Sequence, residues 1–198
     1  MKKAEFLFDF ASPNAYLAYR ALPGVEARTG VKFALTPVLL GGLFKLTGNQ
    51  APMIAFAHVP NKLAYESLEM QRFIARHKLD AFTFNPHFPV NTLLLMRAAV
   101  AAEMDGDLAR FVEAGFHLMW EEPKKMNDPA VAAATLAAAG LDAERLLSRA
   151  QDADVKARLI ANTESAAKRG AFGIPSFFVG DDLYFGKNTL PEIEEALR

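Results

Sequence analysis

Residues 171–179 read A-F-G-I-P-S-F-F-V, and residues 6–17 read F-L-F-D-F-A-S-P-N-A-Y-L. The second stretch is an apolar strand that ends in a loop and opens a helix. Ser12 fits the N-cap of that helix and Pro13 its first turn. The first stretch is a Gly-x-Pro turn that enters another apolar strand. Each reading is ordinary alone. Together they place a hydroxyl at a helix N-terminus and a proline turn at the head of a buried strand.

Working outward, residues 4–10 read as a mostly buried strand interrupted by Glu5 and Asp9. Residues 14–29 repeat apolar side chains at helical spacing and stop at Gly30, with Pro23 predicting a kink or break. Residues 31–37 alternate and read as a second strand, so the chain opens β-α-β with a parallel pair. Residues 40–60 carry Gly41, Gly42, Gly48, Pro52 and Pro60 and read as a loop, with a short helix over 43–46. Helices follow over 61–79, 91–105, 107–121, 128–139, 143–150 and 152–169. A strand over 176–179, a turn at Gly180-Asp181-Asp182, a strand over 183–185 and a helix from residue 189 or 190 close the chain.

The 198 residues are 52% hydrophobic and include 16 phenylalanines, enough for a large core without staples. There is no cysteine. That excludes disulfides, Cys-ligated zinc and any thiol–disulfide exchange by the chain itself, and it is consistent with a reducing compartment. A formal net charge of -1 predicts no nucleic-acid footprint. No apolar run approaches the ~18 residues of a membrane span, and the charged N-terminal stretch does not read as a signal peptide. The expected location is the cytoplasm. The four histidines (58, 77, 87 and 117) show no metal-ligand spacing, so no metal is expected. Glu121, Glu122, Glu192, Glu194 and Glu195 read as solvated charges.

Four sets of residues are site candidates. Ser12 is a cap whose hydroxyl also suits an anionic ligand atom held by the helix N-terminus. At Ile174-Pro175 a cis bond would expose the backbone N–H and C=O of Ile174 to an extended ligand. Lys187, Asn188 and Thr189, between the last strand and the last helix, form either a capped turn or a polar nest for a carboxylate. Lys45, Asn49, Asn61 and Lys62 are ordinary surface residues singly and a polar, cationic rim as a set.

The motifs F-D-F-A-S-P-N-A-Y-L-A, T-G-N-Q-A-P, R-G-A-F-G-I-P-S-F-F-V and F-G-K-N-T-L, in that order, resemble the 2-hydroxychromene-2-carboxylate isomerases and kappa-class glutathione transferases of the DsbA-like branch. The resemblance covers nearly the whole chain. It implies an α/β fold, thioredoxin-like with an inserted all-helical domain: residues 1–60 and 160–198 form the thioredoxin-like domain and 61–159 the helical insertion. In redox relatives the slot of Ser12-Pro13-Asn14-Ala15 reads C-P-x-C, so a hydroxyl stands where a thiol would be. The resemblance implies glutathione as cofactor, with Ser12 at its sulfur, Ile174 pairing with its cysteinyl backbone beside Pro175, and Asn188-Thr189 where relatives hold the γ-glutamyl end with Asp-Arg. Lys187 replaces only the arginine's charge. Lys45, Asn49, Asn61 and Lys62 lie where substrate-side polar residues belong, facing a small aromatic carboxylate. The implied activity is cis–trans isomerisation by reversible thiolate addition, in a homodimer. A kappa-like transferase and a non-catalytic peptide-binding module remain alternatives.

Overall fold

The computed structural model describes residues 2–198; Met1, the first residue of the expected thioredoxin-like domain, lies outside them. Strand β1 (Ala4–Phe8) leads into helix α1 (Pro13–Thr29) and strand β2 (Phe33–Pro37). β1 and β2 pair in parallel, Ala4 opposite Phe33 through Phe8 opposite Pro37. At the far end of the chain β3 (Ser176–Val179) and β4 (Asp182–Phe185) form a hairpin. β3 pairs antiparallel with β1, giving the sheet order β2-β1-β3-β4. The two motif-bearing strands therefore lie side by side in the middle of the sheet, although over 160 residues separate them in sequence.

Local chemistry sets the element ends. Ser12 caps α1 through a hydrogen bond from the Ala15 amide. Gly30, at φ 71°, closes α1 with its N–H on the Glu26 carbonyl. Of the kink or break expected at Pro23, the break does not occur: α1 runs unbroken through it. Pro23 is exposed, so the Tyr19 carbonyl that loses its usual partner lies on the water side of the helix.

Helices α2 (Leu40–Thr47), α3 (Pro52–Ala55) and α4 (Pro60–His77) follow β2. The region expected to be mostly loop is thus more helical than its glycines suggest. Gly42 has a packing reason. A Cβ there would lie 3.0 Å from Thr163 Cγ2 on α9 (Ala153–Lys168), so the missing side chain lets the two helices close. Between them run α5 (Leu93–Met104), α6 (Leu108–Trp120), α7 (Pro129–Ala138) and α8 (Ala143–Arg149), and α10 (Leu190–Leu197) ends the chain.

One core joins sheet and helices. Phe6 stacks on Phe177 at 5.2 Å across β1 and β3. Phe8 and Phe10 meet Phe116 of α6 at 5.8 and 5.0 Å. Gly115 makes this possible, because a Cβ there would stand 2.5 Å from Phe10 Cε1. No helix among the described residues is long and apolar enough to cross a membrane.

Candidate active site

The loop from Asp9 to Ser12 is built by buried hydrogen bonds. Asp9 is 1% exposed. One carboxylate oxygen accepts from the Ala11 amide at 2.9 Å and from Thr92 Oγ1 at 2.6 Å. The other accepts from the Leu40 amide at 2.7 Å. Burial pushes this carboxyl above the ordinary aspartate range, and the three hydrogen bonds pull against that shift. Asp9 thereby ties the site loop to the starts of α2 and α5. With both oxygens engaged it acts as a strut, not as a base. Trp120 Nε1 donates to the Phe10 carbonyl at 2.8 Å and holds the same loop from α6. Sequence reasoning missed Asp9; its one signal was an acid inside the apolar run Phe6–Phe10, just before Ser12.

Ser12 is 6% exposed. Its Oγ accepts from the Ala15 amide at 3.1 Å and donates to the Ile174 carbonyl at 3.1 Å. The structure thus brings together the two motifs that the sequence singled out. The Ile174-Pro175 bond is cis, and so is Phe88-Pro89, which the sequence did not point to. Around this turn the carbonyls are engaged: Gly173 accepts from Ser176 Oγ at 2.8 Å and Pro175 from the Gly186 amide at 2.9 Å. The Ile174 N–H has no acceptor among the described residues, although Ile174 is only 7% exposed.

Beside the turn, Phe172 and Phe185 pack ring to ring at 4.4 Å and are 39% and 43% exposed. A Cβ on Gly173 would lie 2.9 Å from Phe185 Cε2, so this pair needs the glycine. Asn49 Nδ2 donates to the Phe172 carbonyl at 2.9 Å, fixing the end of α2 against the turn. Lys45 and Asn61 are exposed. Lys62 is exposed too, its ammonium 3.6 Å above the Phe56 ring.

The last set divides. Asn188 is exposed and lines a cleft of about 200 Å³ with Arg28, Arg76 and Lys187. Thr189 Oγ1 turns back to the Gly186 carbonyl at 2.8 Å. Lys187 is only 5% exposed, and its ammonium pairs with Glu69 of α4, 5.4 Å from the Phe73 ring. The charge of Lys187 is therefore already answered inside the protein.

Two acids read as solvated are not. Glu194 is 9% exposed and bonded by Arg28 and Arg198. Glu121 accepts from Tyr16 Oη at 2.9 Å and Arg20 Nε at 2.8 Å, and meets His117 Nδ1 at 2.8 Å. Burial alone would raise the Glu121 carboxyl, but the bonds from His117 and Tyr16 and the Arg20 charge outweigh it and hold it below the ordinary range. Burial and Glu121 push the Tyr16 phenol up to about 12. Each acid has one partner a helical turn away, His117 for Glu121 and Arg198 for Glu194, but Tyr16, Arg20 and Arg28 come from a distant stretch of the chain that no local pattern marks.

The family profile of the DSBA-like thioredoxin domain matches residues 4–198. The chain belongs to the DsbA-like thioredoxin family. Within it, the chain is similar to a 2-hydroxychromene-2-carboxylate isomerase of Sphingobium xenophagum, 28% identical over 199 residues that span 99% of this chain and 98% of the relative. It is also similar to glutathione S-transferase kappa 1 of Rattus norvegicus, 28% identical over 181 residues, 87% of this chain and 78% of the relative. The solved structure of a 2-hydroxychromene-2-carboxylate isomerase superposes with a TM-score of 0.83 over 98% of this chain and 93% of that one, at 23% identity, and shows the shared fold. The loop at the start of α1 reads Ser12-Pro13-Asn14-Ala15, and the chain has no cysteine.

Proposed function

We propose that the protein is a glutathione-dependent cis–trans isomerase acting on 2-hydroxychromene-2-carboxylate or a related aromatic ketoacid. The observation that carries the reading is the joined pair Ser12 and Ile174, at a helix N-terminus in a chain without a thiol. The similarity to named isomerases over nearly the full length supports it.

The residues present fit glutathione at its cysteinyl end. The Ile174 N–H, buried and without an acceptor, suits the carbonyl of an extended peptide. When bound, glutathione supplies a thiolate whose reversible addition makes a conjugated double bond rotatable. The chain's own part is to stabilise that charge and to orient the substrate. Ser12 turns its proton from the Ile174 carbonyl toward the sulfur, while the first turn of α1 adds its partial positive charge. Pro175 shapes the turn that presents Ile174. Asn188 and Thr189 hold the γ-glutamyl end, and Lys187 contributes through its pair with Glu69. Lys45, Asn49, Asn61 and Lys62 form the rim for the substrate carboxylate. The exposed rings of Phe172 and Phe185 suit its aromatic body.

Calorimetric titration with glutathione, followed by an ultraviolet assay on 2-hydroxychromene-2-carboxylate, tests this reading. Binding with turnover and full recovery of glutathione is expected. Consumed glutathione would make the protein a kappa-like transferase, a reading favoured by the kappa relatives. No binding at millimolar glutathione would leave a peptide-binding module. The protein is further proposed to act as a homodimer in the cytoplasm. Light scattering should give about twice the 21.7 kDa chain mass, and a monomer at micromolar concentration would refute the dimer.

A further inference from the structure

A second cleft, of about 470 Å³, lies wholly within the helical layer. Asn91, Leu93, Leu94 and Arg97 line it from the start of α5, Asn127 and Pro129 from the entry to α7, and Leu147 and Gln151 from the end of α8 and the turn beyond. None of the residues proposed above for glutathione or its substrate lines it. We infer that this cleft is a binding site for a small monocarboxylate with a flat apolar body, distinct from the Ser12 site and independent of the function proposed for it.

Arg97 carries the argument. It is half-buried, yet among the described residues no carboxylate stands within 4.0 Å of its guanidinium and no internal acceptor takes a hydrogen bond from it. The arginines of α8 and α9 are matched, Arg145 and Arg149 by Asp105 and Arg158 by Glu103, and Arg72 and Arg76 of α4, which have no carboxylate partner among the described residues, are exposed to water as Arg97 is not. No acidic residue lines the cleft. The two nearest in sequence are committed elsewhere. Asp128 caps α7 by accepting from the Ala130 and Val131 amides, and Asp152 faces Arg149 at 3.7 Å. A partly desolvated guanidinium favours an anion, and its planar fork matches a carboxylate.

The other walls set the rest of the ligand. Leu93, Leu94, Leu147 and Pro129 offer apolar surface for a ring. Asn127 and Gln151 make no internal side-chain hydrogen bond among the described residues, and Asn91 uses only its Oδ1, on the Leu93 amide at 3.0 Å. These amides can meet the second carboxylate oxygen or a ring hydroxyl. The volume lies within the roughly 300–1,000 Å³ range of small-molecule sites. A single unmatched positive charge suits a monoanion better than a phosphate dianion.

The test is fluorine NMR of 4-fluorobenzoate titrated into the full-length protein. Wild type should bind with a dissociation constant of about 0.1–1 mM, and neutral 4-fluorobenzamide should not bind. Arg97→Gln should weaken 4-fluorobenzoate about tenfold or more, the loss expected for a bond to a charged partner. Arg97→Lys should weaken it nearly as much, because charge without the fork is not enough. Gln151→Ala, at an exposed position, should weaken it severalfold, so that these last two variants suffice if Arg97→Gln fails to fold. The double variant Lys45→Ala, Lys62→Ala should bind as wild type does. The inference is overturned if wild type shows no binding at about 10 mM, or if Arg97→Lys and Gln151→Ala bind like wild type. Loss of binding in the Lys45/Lys62 variant, or tighter binding of phenyl phosphate than of the carboxylate, overturns it equally.

Discussion

Replacing Ser12 by alanine removes two hydrogen bonds at once. The Ala15 amide loses its cap, which costs about 1 kcal/mol. The buried Ile174 carbonyl loses its donor, which costs about 1–2 kcal/mol more. Stability should fall by about 2–3 kcal/mol, a drop of roughly 4–12 °C in melting temperature for a chain of this size. The effect on chemistry is smaller than a bare count of bonds suggests. The hydroxyl has one proton, and in this structure the Ile174 carbonyl holds it. Turning it to a thiolate gains about 1.5–3 kcal/mol but surrenders about 0.5–1.5 kcal/mol. The difference is worth about one pKa unit of the bound thiol. Ser12→Ala should therefore raise that pKa by about one unit and slow turnover at neutral pH about tenfold, while glutathione still binds. Thiolate absorbance followed against pH, with glutathione bound to each protein, decides the matter. Overlapping titration curves would refute the role of Ser12 at the sulfur and leave it as a cap alone.

Two further outcomes follow from the packing and the charges. Gly115→Ala drives a Cβ to 2.5 Å from Phe10 and should lower the melting temperature by roughly 3–10 °C; an unchanged melt would show that Phe10 is free to move aside. Glu121 is held below the ordinary glutamate range, so its contribution to stability is present above pH 4.5 and lost as pH falls through the folded value. Glu121→Gln should flatten the acid limb of a stability–pH series. What remains of that limb belongs in part to Glu194, which the Arg28 hydrogen bond also holds low. An acid limb identical to that of wild type would remove Glu121 from this account.

The sequence by itself determined the elements and the two motifs. Helix caps and apolar periods are local, so Ser12, Gly30 and the strand over 176–179 were legible without coordinates. Local rules also misled. Pro23 and Gly42 read as breakers, yet α1 and α2 run through them, because exposure in one case and close packing on Thr163 in the other offset the penalty. Asp9, Glu121, Glu194 and Lys187 were illegible for one reason. A charged side chain looks the same in sequence whether it faces water or a partner, and these find theirs on distant segments: Thr92, Tyr16 and Arg20, Arg28, and Glu69 respectively. The nature of the Ser12 site, a hydroxyl in a chain without cysteine, was written in the sequence. That its proton already rests on the Ile174 carbonyl was decided only when the sheet set β1 beside β3.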